Sequence, residues 1–200
     1  MTAQSAGRRG VANMTLSLDG RYAAPDDPLD MNWVMPYAHT DIARDHMTGL
    51  HESATTALLG RVNAEGFLGF WPTVIGMEGA DPRDEAFARW LVGADKVVLS
   101  STLKEAPWER TAIVDRPAAE AVSDLRASEG GDILALSSAS VIKALLAADE
   151  VDRLALTVFP VFLGGGPRLF DDGLPAERWA LAGQAAGEHG TLALVYDRVR

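Results

Sequence analysis

The chain has 200 residues, no cysteine, a formal net charge of −10 and an apolar content of 48%. That length and mix suit one α/β domain that buries a core without metal or disulfide staples. The missing thiols exclude disulfides, thiol catalysis and cysteine-ligated zinc, and the acidic balance leaves no basic footprint for nucleic acid. Arg8 and Arg9 form the only N-terminal basic pair, and no apolar stretch long enough for a signal peptide or a membrane span follows them. The expectation is a soluble cytoplasmic protein, a single domain over 1–200 with residues 1–10 as a flexible N-terminus.

In chain order, Val11 to Leu18 reads as a strand ending in the turn Asp19-Gly20. Pro25 to Pro36 is rich in Asp, Pro and Met and reads as a long loop; His39 to Glu52 reads as a helix. Thr56 to Leu59 is a short strand stopped by Gly60. Asp84 to Val92 is helical, with Phe87, Trp90 and Leu91 on one face. Lys96 to Leu99 is a compact strand. Ala118 to Ser128 is a surface helix, and Gly130-Gly131 opens the strand Asp132 to Leu136. The next helix runs to Ala148 with Val141, Ile142, Leu145 and Leu146 on one face. Val151 to Phe159 is a strand. Glu177 to Gln184 and Leu192 to Val199 form a final antiparallel pair around Glu188-His189-Gly190. Strands alternating with helices predict a three-layer αβα domain, its sheet mostly parallel with an antiparallel C-terminal edge.

Three strands end in small polar residues: Leu59-Gly60-Arg61, Leu99-Ser100-Ser101-Thr102 and Leu136-Ser137-Ser138-Ala139-Ser140. Open α/β sheets bind ligands beyond the carboxyl ends of their strands. Small residues there let backbone approach a phosphate, helix N-termini and hydroxyls donate to it, and Arg61 adds a bidentate grip. Each segment also has a plainer reading, since Ser138 or Ser140 can cap a helix and Ser100 and Ser101 can end a strand. Gly164-Gly165-Gly166 reads as a close-approach loop or as a flexible hairpin. No Walker loop, Gly-x-Gly-x-x-Gly fingerprint, nucleophile elbow or His-Glu-x-x-His is present, and no metal site is expected. The histidines, His46 and His51 included, read as surface or hydrogen-bonded helix residues. Trp33 and Trp71, in proline-flanked loops, either stack on a planar ring or cover the core edge.

Five motifs in order resemble the C-terminal reductase domain of the bifunctional deaminase-reductase of riboflavin synthesis. They are Met14-Thr15-Leu16-Ser17-Leu18-Asp19-Gly20-Arg21; Leu58-Leu59-Gly60-Arg61 with Glu65 and Phe67; Lys96 through Leu103; Gly130-Gly131-Asp132-Ile133 through Leu146; and Val151 through Pro160 followed by Leu163-Gly164-Gly165-Gly166-Pro167-Arg168-Leu169-Phe170. The resemblance implies the dihydrofolate-reductase-like fold and an NADPH-dependent reductase of a ribosylaminopyrimidine or another small carbonyl or imine. It implies that Gly60, Arg61, Val62 and Asn63 hold the adenosine-side phosphates, that Ser100, Ser101 and Thr102 flank the ribose phosphate, and that Ser137, Ser138, Ala139 and Ser140 meet the pyrophosphate. Ala12 and Asn13 would lie by the nicotinamide, with the Asp19-Gly20 loop over it. Asp45 or Asp19 would supply the proton, and Trp33, Thr157, Gly164 and Gly165 would line the substrate side. The family's Thr-Tyr after Gly-Arg-x is Asn63-Ala64 here, and a glycine-rich pair is Ser137-Ser138. A flavin or deazaflavin reductase, and a catalytically silent ligand-binding protein, are the rival expectations on the same fold. Relatives pair through their C-terminal strands, so the resemblance also implies a homodimer.

Overall fold

The computed structural model describes residues 7–27 and 29–200. Its centre is one eight-stranded sheet in the order β4-β3-β2-β5-β1-β6-β8-β7. The strands are β1 (Gly10–Ser17), β2 (Ala54–Gly60), β3 (Asp95–Leu99), β4 (Thr111–Val114), β5 (Asp132–Leu136), β6 (Arg153–Phe159), β7 (Arg178–Ala186) and β8 (Leu192–Val199). The first six run parallel, and β8 and β7 close the sheet as an antiparallel edge. The expected architecture, including that edge, is what the chain adopts.

The helices are α1 (Met35–Ala38), α2 (Asp41–His51), α3 (Arg61–Phe70), α4 (Pro82–Gly93), α5 (Ala118–Arg126) and α6 (Ala139–Ala147). They cover both faces because side chains alternate across each strand. Val11, Leu59, Leu134 and Ala155 face a core with Leu50 of α2, Ala64 and Leu68 of α3, and Phe87 and Leu91 of α4. Ala12, Met14, Leu16, Leu58 and Ile133 face the opposite core, with Val122 of α5 and Val141, Ile142, Leu145 and Leu146 of α6. Asp81 caps α4 by accepting the Arg83 N–H at 2.9 Å, ahead of Pro82.

Two elements differ from expectation. Residues 61–70, to which the sequence assigns no element, form α3. Gly66 and Gly69 lower its helix propensity, and burial of Ala64 and Leu68 overrides that cost. β4 is a four-residue edge strand too short to announce itself by alternation. Part of the expected flexible N-terminus, Arg8 to Gly10, is held against the sheet. Residues 1–6 lie outside the described residues, but Arg8 is buried, its guanidinium donating to Gly131 O at 2.8 Å, to Ser128 Oγ at 2.9 Å and to Leu125 O at 3.1 Å. Arg9 grips Asp132 with two bonds of 2.7 and 3.0 Å. The basic pair thus anchors β1 beside β5. No described helix is long and apolar enough to cross a membrane.

Candidate active site

The parallel strands deliver their carboxyl ends to one edge of the sheet, where β2 and β5 are neighbours. Each feeds a helix, β2 into α3 at Gly60–Arg61 and β5 into α6 at Ser138–Ala139. Neither helix has a side-chain cap. Two sets of first-turn N–H groups therefore open side by side, each with the positive end of a helix dipole.

The Ser138 hydroxyl, 2% exposed, accepts the Gly60 N–H at 2.9 Å and donates to Leu136 O at 2.9 Å. It welds the two loops together, with its hydroxyl proton committed to Leu136 O. Asn63 adds a second weld, donating to Ser137 O at 3.0 Å. Ser137 N–H in turn donates to Asn13 O at 3.0 Å, so β1 is tied to the same loop. Ser137 has φ +46°, a left-handed conformation that glycine adopts without strain. The serine thus keeps the backbone path a glycine would take and stores some strain in it. Ser140 is exposed in the first turn of α6, with Ala139 before it half-buried. Arg61 and Val62 are exposed in the first turn of α3, and Arg61 pairs with Glu65 at 3.0 Å.

Ser100, at the end of β3, accepts the N–H groups of Thr102 at 3.2 Å and Leu103 at 2.9 Å. Its hydroxyl closes a turn that leaves Ser101 and Thr102 exposed. Lys104, a residue the sequence reading passed over, donates to Ser101 O at 3.0 Å and brings a positive charge to this corner.

Ala12 and Asn13 sit in the β1 ladder on opposite faces, Ala12 with its methyl in the α6-side core. Asn13 faces the α2 side and is 3% exposed. Thr157, on β6, is 5% exposed on that same face. Trp33 packs edge-on against Phe159, the last residue of β6, at 6.1 Å between ring centroids, and Tyr37 of α1 leans on the same ring at 5.1 Å. Trp71 lies elsewhere, edge-on to Phe87 at 4.6 Å.

The two expected acids are placed differently. Asp19 accepts from Ser17 Oγ at 2.6 Å, Arg21 Nε at 2.8 Å, and the N–H groups of Leu163 and Gly164 at 3.1 Å each. These donors, Ser17 first, hold its carboxyl well below the usual carboxylate range. It is a charged clamp between two loops and cannot supply a proton near neutral pH. Gly20, at φ +73°, makes the turn that aims this clamp. Gly165 packs against Pro25 and Gly166 against Ala23 O, where a Cβ would come within 2.3 Å, so the glycine loop serves a loop–loop contact. Gly164, at φ +69°, is exposed and donates to the clamp. Asp45 is 62% exposed and bound to Arg83 at 2.6 Å, in a cluster with Asp41 and Asp81 that ties α2 to α4. Neither carboxylate stands ready as an acid.

His46, one residue further along α2, points the other way. Its Nε2 is buried without a partner, and burial pushes the imidazole down to about 4. The sequence signal was the i, i+4, i+8 row Ile42–His46–Leu50, which shares one helix face. His51 is buried against Phe87 and Trp90, not on the surface. Among the described residues no cluster of His, Asp or Glu is arranged to hold a metal ion. Two cavities lie away from the carboxyl edge. One of about 350 Å³ is apolar, between α6 and β8 beside Phe170 and Trp179. One of about 470 Å³ at the amino ends of β1 and β6 is lined by arginines that pair with Asp132, Asp149 and Asp152.

A mostly parallel sheet with an antiparallel edge, helices on both faces and uncapped helix N-termini along its carboxyl edge defines a dihydrofolate-reductase-like α/β domain. The chain belongs to the RibD C-terminal domain family, whose model matches residues 8–192. No curated protein sequence matches it. Among solved structures it is similar to a protein assigned to riboflavin biosynthesis from Shewanella sp. PV-4 (TM-score 0.73, 20% identity, 96% of this chain and 99% of that one). It is also similar to a diaminohydroxyphosphoribosylaminopyrimidine deaminase/5-amino-6-(5-phosphoribosylamino)uracil reductase from Thermotoga maritima (TM-score 0.65, 14% identity, 96% of this chain and 57% of that one). A third is dihydrofolate reductase from Enterococcus faecalis complexed with NADP(H) (TM-score 0.59, 16% identity, 96% of this chain and 97% of that one). At these identities the likeness is one of fold.

Proposed function

We propose that the chain is an NADPH-dependent reductase of a small carbonyl or imine, with a ribosylaminopyrimidine of riboflavin synthesis as the first candidate substrate. One observation carries the reading: the N-termini of α3 and α6, both without side-chain caps, open side by side at the carboxyl edge of β2 and β5. Such a pair suits a pyrophosphate, because first-turn N–H groups and helix dipoles both favour anions. The acidic net charge makes a local backbone site necessary, since long-range attraction for an anion is absent. Family membership points the same way.

NADPH, when bound, supplies the hydride. The residues of the chain do the rest. Val62, Ala139 and Ser140 present first-turn N–H groups to phosphate, with Arg61 in the first turn of α3 and Lys104 just beyond β3 adding charge. Ser138 and Asn63 hold the two loops in register, and Asn13 joins β1 to them. Trp33, Tyr37 and Phe159 give the acceptor side an apolar wall that excludes water. A homodimer through the C-terminal strands is part of the proposal. β7 is a nine-residue sheet edge with mostly exposed side chains and a single charged residue, Arg178.

The test is calorimetric titration of NADPH into the wild type and into Ser140→Asp. The new carboxylate lies in the first turn of α6, where it favours the helix by a few tenths of a kcal/mol and repels a phosphate. Saturable sub-millimolar binding, weakened about tenfold or more in the folded variant, is expected. Absence of saturable binding, or equal affinity in both proteins, defeats the reading.

A further inference from the structure

Two buried side-chain nitrogens without a hydrogen-bond partner belong to residues over the same end of the same strand: His46 Nε2 and Trp33 Nε1. Trp33 is placed by its edge-on contact with Phe159 at the end of β6. His46 is placed by its helical neighbours. Ile42, one turn before it, lies so close to Gly187 that a Cβ there would come within 2.2 Å of the isoleucine Cγ2. Leu50, one turn after it, is buried in a core with Val11 and Ala155. The helix row therefore directs His46 toward what comes next on that face of the sheet, which is Asn13 after Val11 on β1 and Thr157 after Ala155 on β6. Both of these polar side chains are buried.

The pattern asks for a ligand of definite chemistry. Buried polar atoms are almost always paired, so two orphans at one strand end call for a partner. An indole N–H only donates, whereas a neutral imidazole nitrogen accepts or donates according to its tautomer. A planar ring edge carrying C=O beside N–H answers both. The rings of Trp33, Tyr37 and Phe159 offer that ring an aromatic surround. His51 Nε2 is also unpartnered, but its ring lies among Phe87 and Trp90, away from this end of β6.

We propose that His46 and Trp33 form the ring-recognition pair of the acceptor site, receiving the amide edge of a cyclic amide such as a pyrimidinedione above Asn13 and Thr157. His46 is then a specificity-determining residue that takes over the inward position expected of Asp45. Only the assignment of this face to the reducible substrate rests on the reductase reading. Burial keeps the imidazole neutral near pH 7, which leaves Nε2 free to accept.

The experiment uses the full chain labelled with ¹⁵N and 5,6-diaminouracil as the probe. A second probe, 1,3-dimethyl-5,6-diaminouracil, lacks both ring N–H groups. The chain has five tryptophans, so the Trp33 indole signal is assigned with Trp33→Phe. The Trp33 indole and His46 imidazole resonances should move saturably with the first probe. The dimethyl probe should bind at least about tenfold more weakly, as a site built around a hydrogen bond rejects an analogue without it. His46→Phe should lose a similar factor for the first probe and keep the wild-type affinity for NADPH. Failure of the wild type to bind 5,6-diaminouracil overturns the proposal. So does equal binding of the two probes, a comparison that needs no variant to fold, or unchanged probe affinity in folded His46→Phe. If NADPH does not bind while His46-dependent probe binding persists, the recognition pair stands and the reductase reading falls.

Discussion

At His46 the cost of burial becomes a dependence on pH. The folded imidazole is pushed down to about 4 by burial, and an unfolded histidine titrates near 6.5. Between those values the unfolded chain binds the extra proton, so stability rises with pH across the window. The contribution is complete above about pH 6.5 and is lost as pH falls toward 4. His51 is shifted the same way, by burial. Asp19 and Asp81 are held below the ordinary carboxylate range by hydrogen bonds, so their support is lost only in stronger acid. Urea unfolding of the wild type at about pH 7 and about pH 5 should show a loss attributable to His46 on the order of 2 kcal/mol. His46→Phe should remove that part and leave the share of His51. An identical pH slope in the variant defeats the assignment. The same residue marks where sequence reading ran out. Asp45 and His46 are adjacent, yet about 100° of helix rotation separates a solvated ion-paired carboxylate from a half-buried imidazole whose Nε2 is turned inward. Residue type favoured the acid; only helix register, Ile42–His46–Leu50, distinguished the inward one. Asp19 misled for a related reason. Its donors Leu163 and Gly164 come from a loop far along the chain, and no local pattern announces them.

At the scale of elements, the buried parallel strands were readable because each is a short apolar run bounded by Gly, Ser or Asp. β5 appeared with its observed limits, Asp132–Leu136. α6 was readable from the periodicity of Val141, Ile142, Leu145 and Leu146, all buried. α3 was not, because two glycines and a break after Gly60 look like loop until β2 and α4 supply the surface it packs on. The motif ends Gly60, Ser100 and Ser138 were found as strand termini, but their use as welds and turn closers depends on strands brought together from separate parts of the chain. The C-terminal pair was recognised by its missing helix. It leaves Leu181, 49% exposed, in the middle of an edge strand whose outer backbone groups have no strand beside them. Such edges invite pairing with a second copy unless charge blocks it. Leu181→Lys places charge there, and analytical ultracentrifugation should find a wild-type dimer and a monomeric variant. A monomeric wild type, or a variant that still pairs, rejects the proposed dimer.

For the whole molecule, the sequence carried the fold through the order of its motifs, while the order of strands in space came only with the structure. β1 is central: Gly10 pairs with Ile133 on β5, and Val11 with Arg153 on β6. Arg8 and Arg9 reinforce the link to β5 through Gly131 and Asp132. A fragment of residues 1–130 holds four strands but neither neighbour of β1. It should lack a cooperative thermal transition by circular dichroism, and a sharp transition in that fragment would contradict this account.

The same wiring sets the timetable of synthesis. β1 is made before both of its neighbours and cannot take its full place until the chain has been made past Phe159, so Gly10–Ser17 waits as an unsheltered apolar segment while about 140 residues follow it. Non-local parallel pairing is slow to close, and newly made chains in that interval are open to aggregation. The nascent protein is therefore most dependent on chaperones just before its sixth strand emerges.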